Sequence, residues 1–278
     1  MTRLVLALVL VLVCCSFVSA APNAAVNIKR DTVALVAECP ATEVLTLRVQ
    51  GRKAWLVCRN GDFWNVDLET GSVSERRSLA KPVVDAALLG EELIGLEGSG
   101  ALLGKVPTHW TTAPVPAVRL ESAGGDLLIV SDTESRYLAA PATQSIRLGP
   151  LPLAVPFRDG FLWSMSRQTG GRAWQIELLD MFGNRMKRLY RFSAEFDPTG
   201  TVMGPVGPEG EILISFYTGQ TREFAAIGPH GRMLWRVPGS APVCARDFAW
   251  SPTGGLLVLE AQGTGVAVTR WQFVTPEG

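Results

Sequence analysis

Histidine, tyrosine and asparagine are scarce in this sequence. Its 278 residues hold two His, three Tyr and five Asn, the last at Asn23, Asn27, Asn60, Asn65 and Asn184. Two histidines, His109 and His230, are too few for a multi-imidazole metal centre, and no CxxC or Cys/His pair supplies thiolate ligands instead. Charge of one sign is also lacking. Lys plus Arg is 26 and Asp plus Glu is 26, so the net charge is zero. Without a cationic excess to neutralise phosphates, nucleic-acid binding is excluded as the main business of the chain. No Gly-x-Ser-x-Gly elbow and no phosphate-cradling glycine loop occurs, so no cofactor is expected. A helix-length amphipathic stretch is absent too: Gln175 to Tyr190 is cut by Gly183-Asn184 into two strand-length halves.

What is present begins with a single long apolar run, Leu4 to Val13, preceded by Arg3 and followed by Val18-Ser19-Ala20. A short charged start, an apolar middle and a small-residue end predict a secretory signal over residues 1–20. Counted to Val18 the segment is short for a membrane span, so no span is expected after its removal. Cys14 and Cys15 lack the small preceding residue that bacterial lipid attachment needs. The protein is therefore expected to be exported, either secreted or periplasmic, and monomeric.

Past residue 42 the chain repeats. Runs EVLTLRV, KAWLVCR, DFWNVDL and SVSERRSL are separated by Gly-bearing turns, including Asn60-Gly61. Asn-Gly is a strong hairpin signal, and connections this short allow only antiparallel neighbours. Comparable four-run units extend over residues 83–115, to Leu148, to Phe192 and to Val237. A sixth, from VCARDFAW, stops one strand short at Gly278. A spare strand-like segment, AVNIKRDTVALVA, lies within residues 21–42, before the first unit. Pairing it with the last strand gives every unit four strands and removes both open edges. The prediction is an all-β, six-bladed β-propeller of four-stranded antiparallel blades over residues 43–278, closed by the N-terminal strand.

Two units carry a resemblance. GPVGPEGEILISFYTGQTREFAAIGPHGRMLWRV is similar to an NHL-type blade, with a Gly/Pro entry and a closing Gly turn. GDFWNVDLETGSV resembles a blade of the quinoprotein-like propellers, where an aromatic strand runs into Asp-x-x-Thr-Gly. The resemblance implies a fold superfamily and some geometry: first strands line a central channel, and the loops between second and third strands share a ligand rim. That rim would carry Arg59, Asn60, Asp132, Arg167, Tyr217 and Arg222. Arg246 and Asp247 in the sixth unit, and Asp85 in the second, would put charge on the channel wall, as a wet site or as ion pairs between blades.

These residue types suit binding better than catalysis. The expected function is a non-enzymatic binding or scaffold propeller presenting one rim to a protein, peptide or glycan such as an envelope polymer. The alternative is a propeller enzyme, either a lactonase-like hydrolase or a quinone-dependent dehydrogenase. A lactonase-like metal site resembles Glu, Asn and Asp on inner strands, where this chain has no Asn, and one good quinoprotein-like blade is thin support for a quinone. Cys39 precedes the first strand of unit one and Cys58 ends its second strand, which places both at one end of the unit. A Cys39–Cys58 disulfide is expected; Cys39–Cys244 and three free thiols are the other possibilities.

Overall fold

A computed structural model describes residues 27–106, 117–123, 125–131, 133–138, 146–151, 153–157, 161–167, 173–192, 201–207, 209–218, 221–238 and 248–274. Arg30–Gln272 make up one compact unit, to which everything below refers; the described residues outside it are strand ends. The expected signal segment, Asp132, Arg246, Asp247, Cys244, His109 and Trp110 lie outside the described residues.

All described regular structure is β. The first strand, β1 (Asn27–Val36), precedes blade 1, which is β2 (Val44–Gln50), β3 (Lys53–Cys58), β4 (Asp62–Asp67) and β5 (Arg77–Ser78). Blade 2 is β6 (Asp85–Leu89), β7 (Glu92–Leu96) and β8 (Leu102–Leu103). Blade 3 is β9 (Arg119–Ala123), β10 (Asp126–Val130), β11 (Arg136–Leu138) and β12 (Ile146–Arg147). Blade 4 is β13 (Ala154–Pro156), β14 (Leu162–Arg167), β15 (Trp174–Leu179) and β16 (Arg185–Arg191). Blade 5 is β17 (Val202–Val206), β18 (Ile212–Thr218), β19 (Thr221–Ile227) and β20 (Met233–Pro238). Blade 6 is β21 (Phe248–Trp250), β22 (Leu256–Gln262) and β23 (Gly265–Val274).

Five sheets have four strands and blade 2 has three among the described residues; the expected fourth strand of unit two, WTTAPV at residues 110–115, falls outside them. Blade 6 reaches four because β1 pairs with β23, in the order β1-β23-β22-β21. The ring is therefore closed by the opposite end of the chain, as the missing-strand count required. First strands touch in a complete circuit, β2 to β6, β9, β13, β17, β21 and back to β2.

The strands read as near-continuous apolar runs because both faces of each sheet are buried between blades. Cys39, Val44, Leu47, Leu56 and Trp64 meet Leu257, Leu259, Val266 and Val268 at the seam of blades 6 and 1. Leu45, Trp55, Val57 and Phe63 meet Val83, Ala86, Leu88 and Leu93 at the next. Between blades 5 and 6, Phe224 stands edge-on to Phe248 and Trp271, with ring centroids 5.1 and 5.6 Å away. Buried aromatics on β-strands bring large area at a preferred tilt, which accounts for Trp55, Trp64, Trp163 and Trp271 as packing groups, all of them buried.

Tight turns let neighbouring backbones approach. Gly61 has φ +88°, and a Cβ there would lie 2.1 Å from the carbonyl oxygen of Lys81. Only glycine fits both the left-handed conformation and that contact.

Candidate functional site

The channel wall carries four buried charges on three successive first strands. Arg48 on β2 donates through Nε to the Ala86 carbonyl at 2.6 Å and through Nη2 to the Leu120 carbonyl at 3.0 Å. The same Nη2 lies 3.4 Å from Asp85 Oδ1 and 3.8 Å from Glu121 Oε2. Asp85 Oδ2 accepts the Leu120 N–H at 2.6 Å. Arg119, two residues before Glu121 on the same face of β9, donates to the Ala154 carbonyl at 2.8 Å, and its Nε is 3.9 Å from Glu121 Oε1. One guanidinium thus ties blades 1, 2 and 3, and a second ties blade 3 to blade 4. Two cations against two anions leave the cluster neutral. A buried charge is tolerated when paired and hydrogen-bonded: Arg48, Asp85 and Arg119 are both, and Glu121 is ion-paired with the two guanidiniums. Asp85 is an ion-pair partner between blades, one of the two expectations for it. Arg48, Arg119 and Glu121 were not singled out from sequence; the signal was there, a charged residue interrupting each of the apolar runs EVLTLRV and AVRLES.

Beyond this cluster the channel widens into a cavity of about 290 Å³. Its wall is made by the last residues of first strands and the turns that follow: Gln50, Gly90, Ser122, Val206, Ala249 and Trp250 among them, with Arg48 and Glu121 at its inner end. Small residues at Gly90, Ser122, Val206 and Ala249 leave the space. Gln50 offers an amide, Ser122 a hydroxyl and Trp250 an indole, over aliphatic surface from Leu47, Val49 and Leu88.

This cavity is at the opposite end of the channel from the rim expected to bind. Loops between second and third strands follow the ends of β3, β10, β14, β18 and β22, whereas the cavity lies where first strands turn into second ones. Of the rim residues, Arg59 and Arg167 are exposed. Asn60 is exposed but engaged in its own turn: its Oδ1 accepts the Asp62 N–H at 3.0 Å and its Nδ2 donates to Asp62 Oδ2 at 2.9 Å. Tyr217 is 43% exposed, with the Arg222 guanidinium 5.6 Å from its ring centre. Arg222 itself is only 4% exposed and hydrogen-bonds Ser215. It was expected as a solvent-facing turn charge. Instead β19 begins at Thr221, one residue earlier, and the register sets Arg222 opposite Tyr217 in a sheet buried on both faces.

Cys39 and Cys58 are brought together, with their Sγ atoms 2.7 Å apart and both buried. The turn after β1 places Cys39, whose N–H donates to the Val36 carbonyl, and the β2–β3 register places Cys58 opposite Val44. No group of three or more His, Cys, Asp or Glu side chains arranged to hold a metal occurs among the described residues. Among them, no helix is long and apolar enough to cross a membrane.

No protein-family model matches the chain, and no curated protein matches it. Solved structures do. The crystal structure of the WD40 β-propeller domain of Doa1 is similar with a TM-score of 0.51 and 12% identity, covering 87% of this chain and 97% of that one. The crystal structure of BamB from Moraxella catarrhalis is similar with a TM-score of 0.44 and 17% identity, covering 83% and 85%. At 12% identity what is shared with the Doa1 domain is the propeller fold, which hosts many unrelated functions.

Proposed function

We propose that this chain is an exported, non-catalytic binding propeller that holds a polypeptide partner at the cavity end of its channel. The observation that carries the reading is the division of labour along the channel. Its carboxylates among the described residues, Asp85 and Glu121, are taken up by Arg48, Arg119 and a backbone N–H, so they brace blades and are poorly placed for acid–base or metal chemistry. The cavity next to them combines an amide, a hydroxyl and an indole with aliphatic wall. A concavity in which convergent polar groups stand among aliphatic wall is a usual form of recognition pocket, and this one, whose wall is more polar than apolar, suits an inserted polar side chain of a polypeptide.

Ser122→Trp puts a large side chain at a residue lining the cavity, while Arg59→Ala with Arg167→Ala clears the opposite rim. Affinity-tagged mature protein is used to retain partners from an extract of the exporting cell's envelope, with melting of each variant as a control. Loss of the retained polypeptide in Ser122→Trp alone is the expected result. Loss in the rim variant alone overturns the choice of face, and retention of no polypeptide by the unaltered protein overturns the binding reading.

A further inference from the structure

The outer edge of blade 4 differs from the other outer edges. β5 and β12, the last strands of blades 1 and 3, are two residues long. β16 is seven, reads RMKRLYR, and contains four cations and no anion. β20 is nearly as long, but its Arg236 is bonded to Glu223. β1 mixes signs, with Arg30 near Glu260 and Asp31 beside it.

The pairing of β15 with β16 concentrates these charges. Gln175, Glu177 and Leu179 alternate along one face of β15, and they oppose Arg191, Arg188 and Arg185. A three-residue spacing alternates faces in a regular strand. Two register shifts, at Ile176/Glu177 and Leu178/Leu179, each absorb one residue and bring the three arginines onto one face. The face holds a single carboxylate, Glu177, and it is already engaged by Ser166, Gln175 and Arg185. Lys187, Arg188 and Arg191 are exposed and have no anionic partner among the described residues. No described strand pairs with the outer side of β16. The turn of blade 5 comes against the Leu189 carbonyl, which a Cβ on Gly231 would strike, and Leu189 and Tyr190 pack on the apolar residues of blade 5. The stretch Arg185–Arg188 is exposed throughout.

At its start two apolar side chains stand in solvent, Phe182 at 66% and Met186 at 58% exposure. The turn presenting Phe182 is braced by Asp180, which accepts the N–H groups of Phe182 and Asn184 at 2.9 and 2.8 Å.

We propose that β16 is a docking edge for an acidic, extended polypeptide segment of another protein. The segment adds to blade 4 as a further strand, carboxylates facing Arg185, Arg188 and Arg191, with an apolar residue against Phe182 or Met186. Unpaired N–H and C=O groups on an open edge are matched by another backbone, while the side chains select it. Like charges repel a second copy of β16, so the cations that guard this edge against self-association also choose an acidic complement. A lipid surface satisfies the charges but leaves the backbone edge open, which favours a polypeptide. None of the cavity-lining residues belongs to blade 4, so this surface stands or falls apart from the channel-end site.

The test uses the whole mature protein and a synthetic peptide of alternating glutamate and valine. Controls are the same peptide with lysine for glutamate, the same peptide N-methylated on alternate amides, and vesicles containing phosphatidylglycerol. The expected result is saturable binding of the acidic peptide alone, with slowed amide exchange at residues 185–188. Arg188→Glu with Arg191→Glu should weaken binding by about tenfold or more with unchanged melting. Equal binding of the N-methylated peptide, or equal binding by the charge-reversed variant, overturns strand addition at β16. Binding to the vesicles with none to the peptide overturns it as well.

Discussion

Oxidation of Cys39 and Cys58 should latch the closed ring. The two sulfurs face each other within the seam of blades 6 and 1, packed with Val36 from β1 and Val44 from β2. Forming the bond removes two protons and two electrons from the thiols, which a disulfide oxidant accepts in the export compartment proposed for this chain. The residues are 19 apart in sequence. In the chain-entropy model a loop of that size lowers the unfolded state's entropy enough to stabilise the fold by about 3 kcal/mol. For a domain of this size each kcal/mol moves the midpoint by about 2–4 °C, so the oxidised protein should melt roughly 10 °C above the reduced one. Cys58→Ser should melt with the reduced protein and lose all sensitivity to reductant. The assay is thermal melting with and without a thiol reductant, beside non-reducing peptide mapping of exported protein. The bridge is refuted if the Cys58 peptide is recovered alkylated and unlinked, or if reductant leaves the midpoint unmoved.

Arg48→Ala should destabilise by about 3–5 kcal/mol in urea unfolding, because it removes the guanidinium that buried Asp85 and Glu121 share; the double variant with Asp85→Ala should lose less than the sum of the two singles, and full additivity would refute the coupling. Deleting Asn27–Val36 should open the ring along β23 and cause association, which light scattering would detect; a monomer with unchanged melting refutes closure. Asp180 is held below the ordinary carboxylate range by hydrogen bonds from the Asn184 side chain first, then from backbone N–H groups. A depressed folded value stabilises above the unfolded pKa and fades as pH falls through the folded one, so the melting difference between wild type and Asp180→Ala should shrink below about pH 4; a difference that persists there refutes this role.

The bracing charges explain why a neutral channel cluster suits a propeller. First strands meet only at the channel, and their apolar neighbours lie farther out between the sheets. Arg48 and Arg119 reach sideways to carbonyls of the following blades, so they satisfy backbone groups that no ladder partner covers. A hydrophobic side chain at either position would leave those carbonyls without a donor. The guanidinium, with donors spread in a planar fork, serves two blades at once where an ammonium on a flexible stem would not hold the geometry.

The sequence carried the ring because blade count depends on short-range signals: turn residues between apolar runs, and a strand missing at one end with one spare at the other. Those signals fix which strands pair, and β1 beside β23 follows from them. They do not fix what a turn residue meets. Arg222 stands two residues past Gly219-Gln220 and reads as part of the turn, yet β19 begins at Thr221 and its register sets Arg222 opposite Tyr217, where it is buried. Nor do they tell where along the channel a cavity forms. That depends on small side chains at Gly90, Ser122, Val206 and Ala249, contributed by four blades and adjacent only after the ring has closed. The arginine face of β16 was hidden for a related reason. A bulge is a property of a pair of strands, and RMKRLYR by itself reads as charges alternating between two faces. Only the register against β15 reveals three guanidiniums on one face, set against a lone carboxylate.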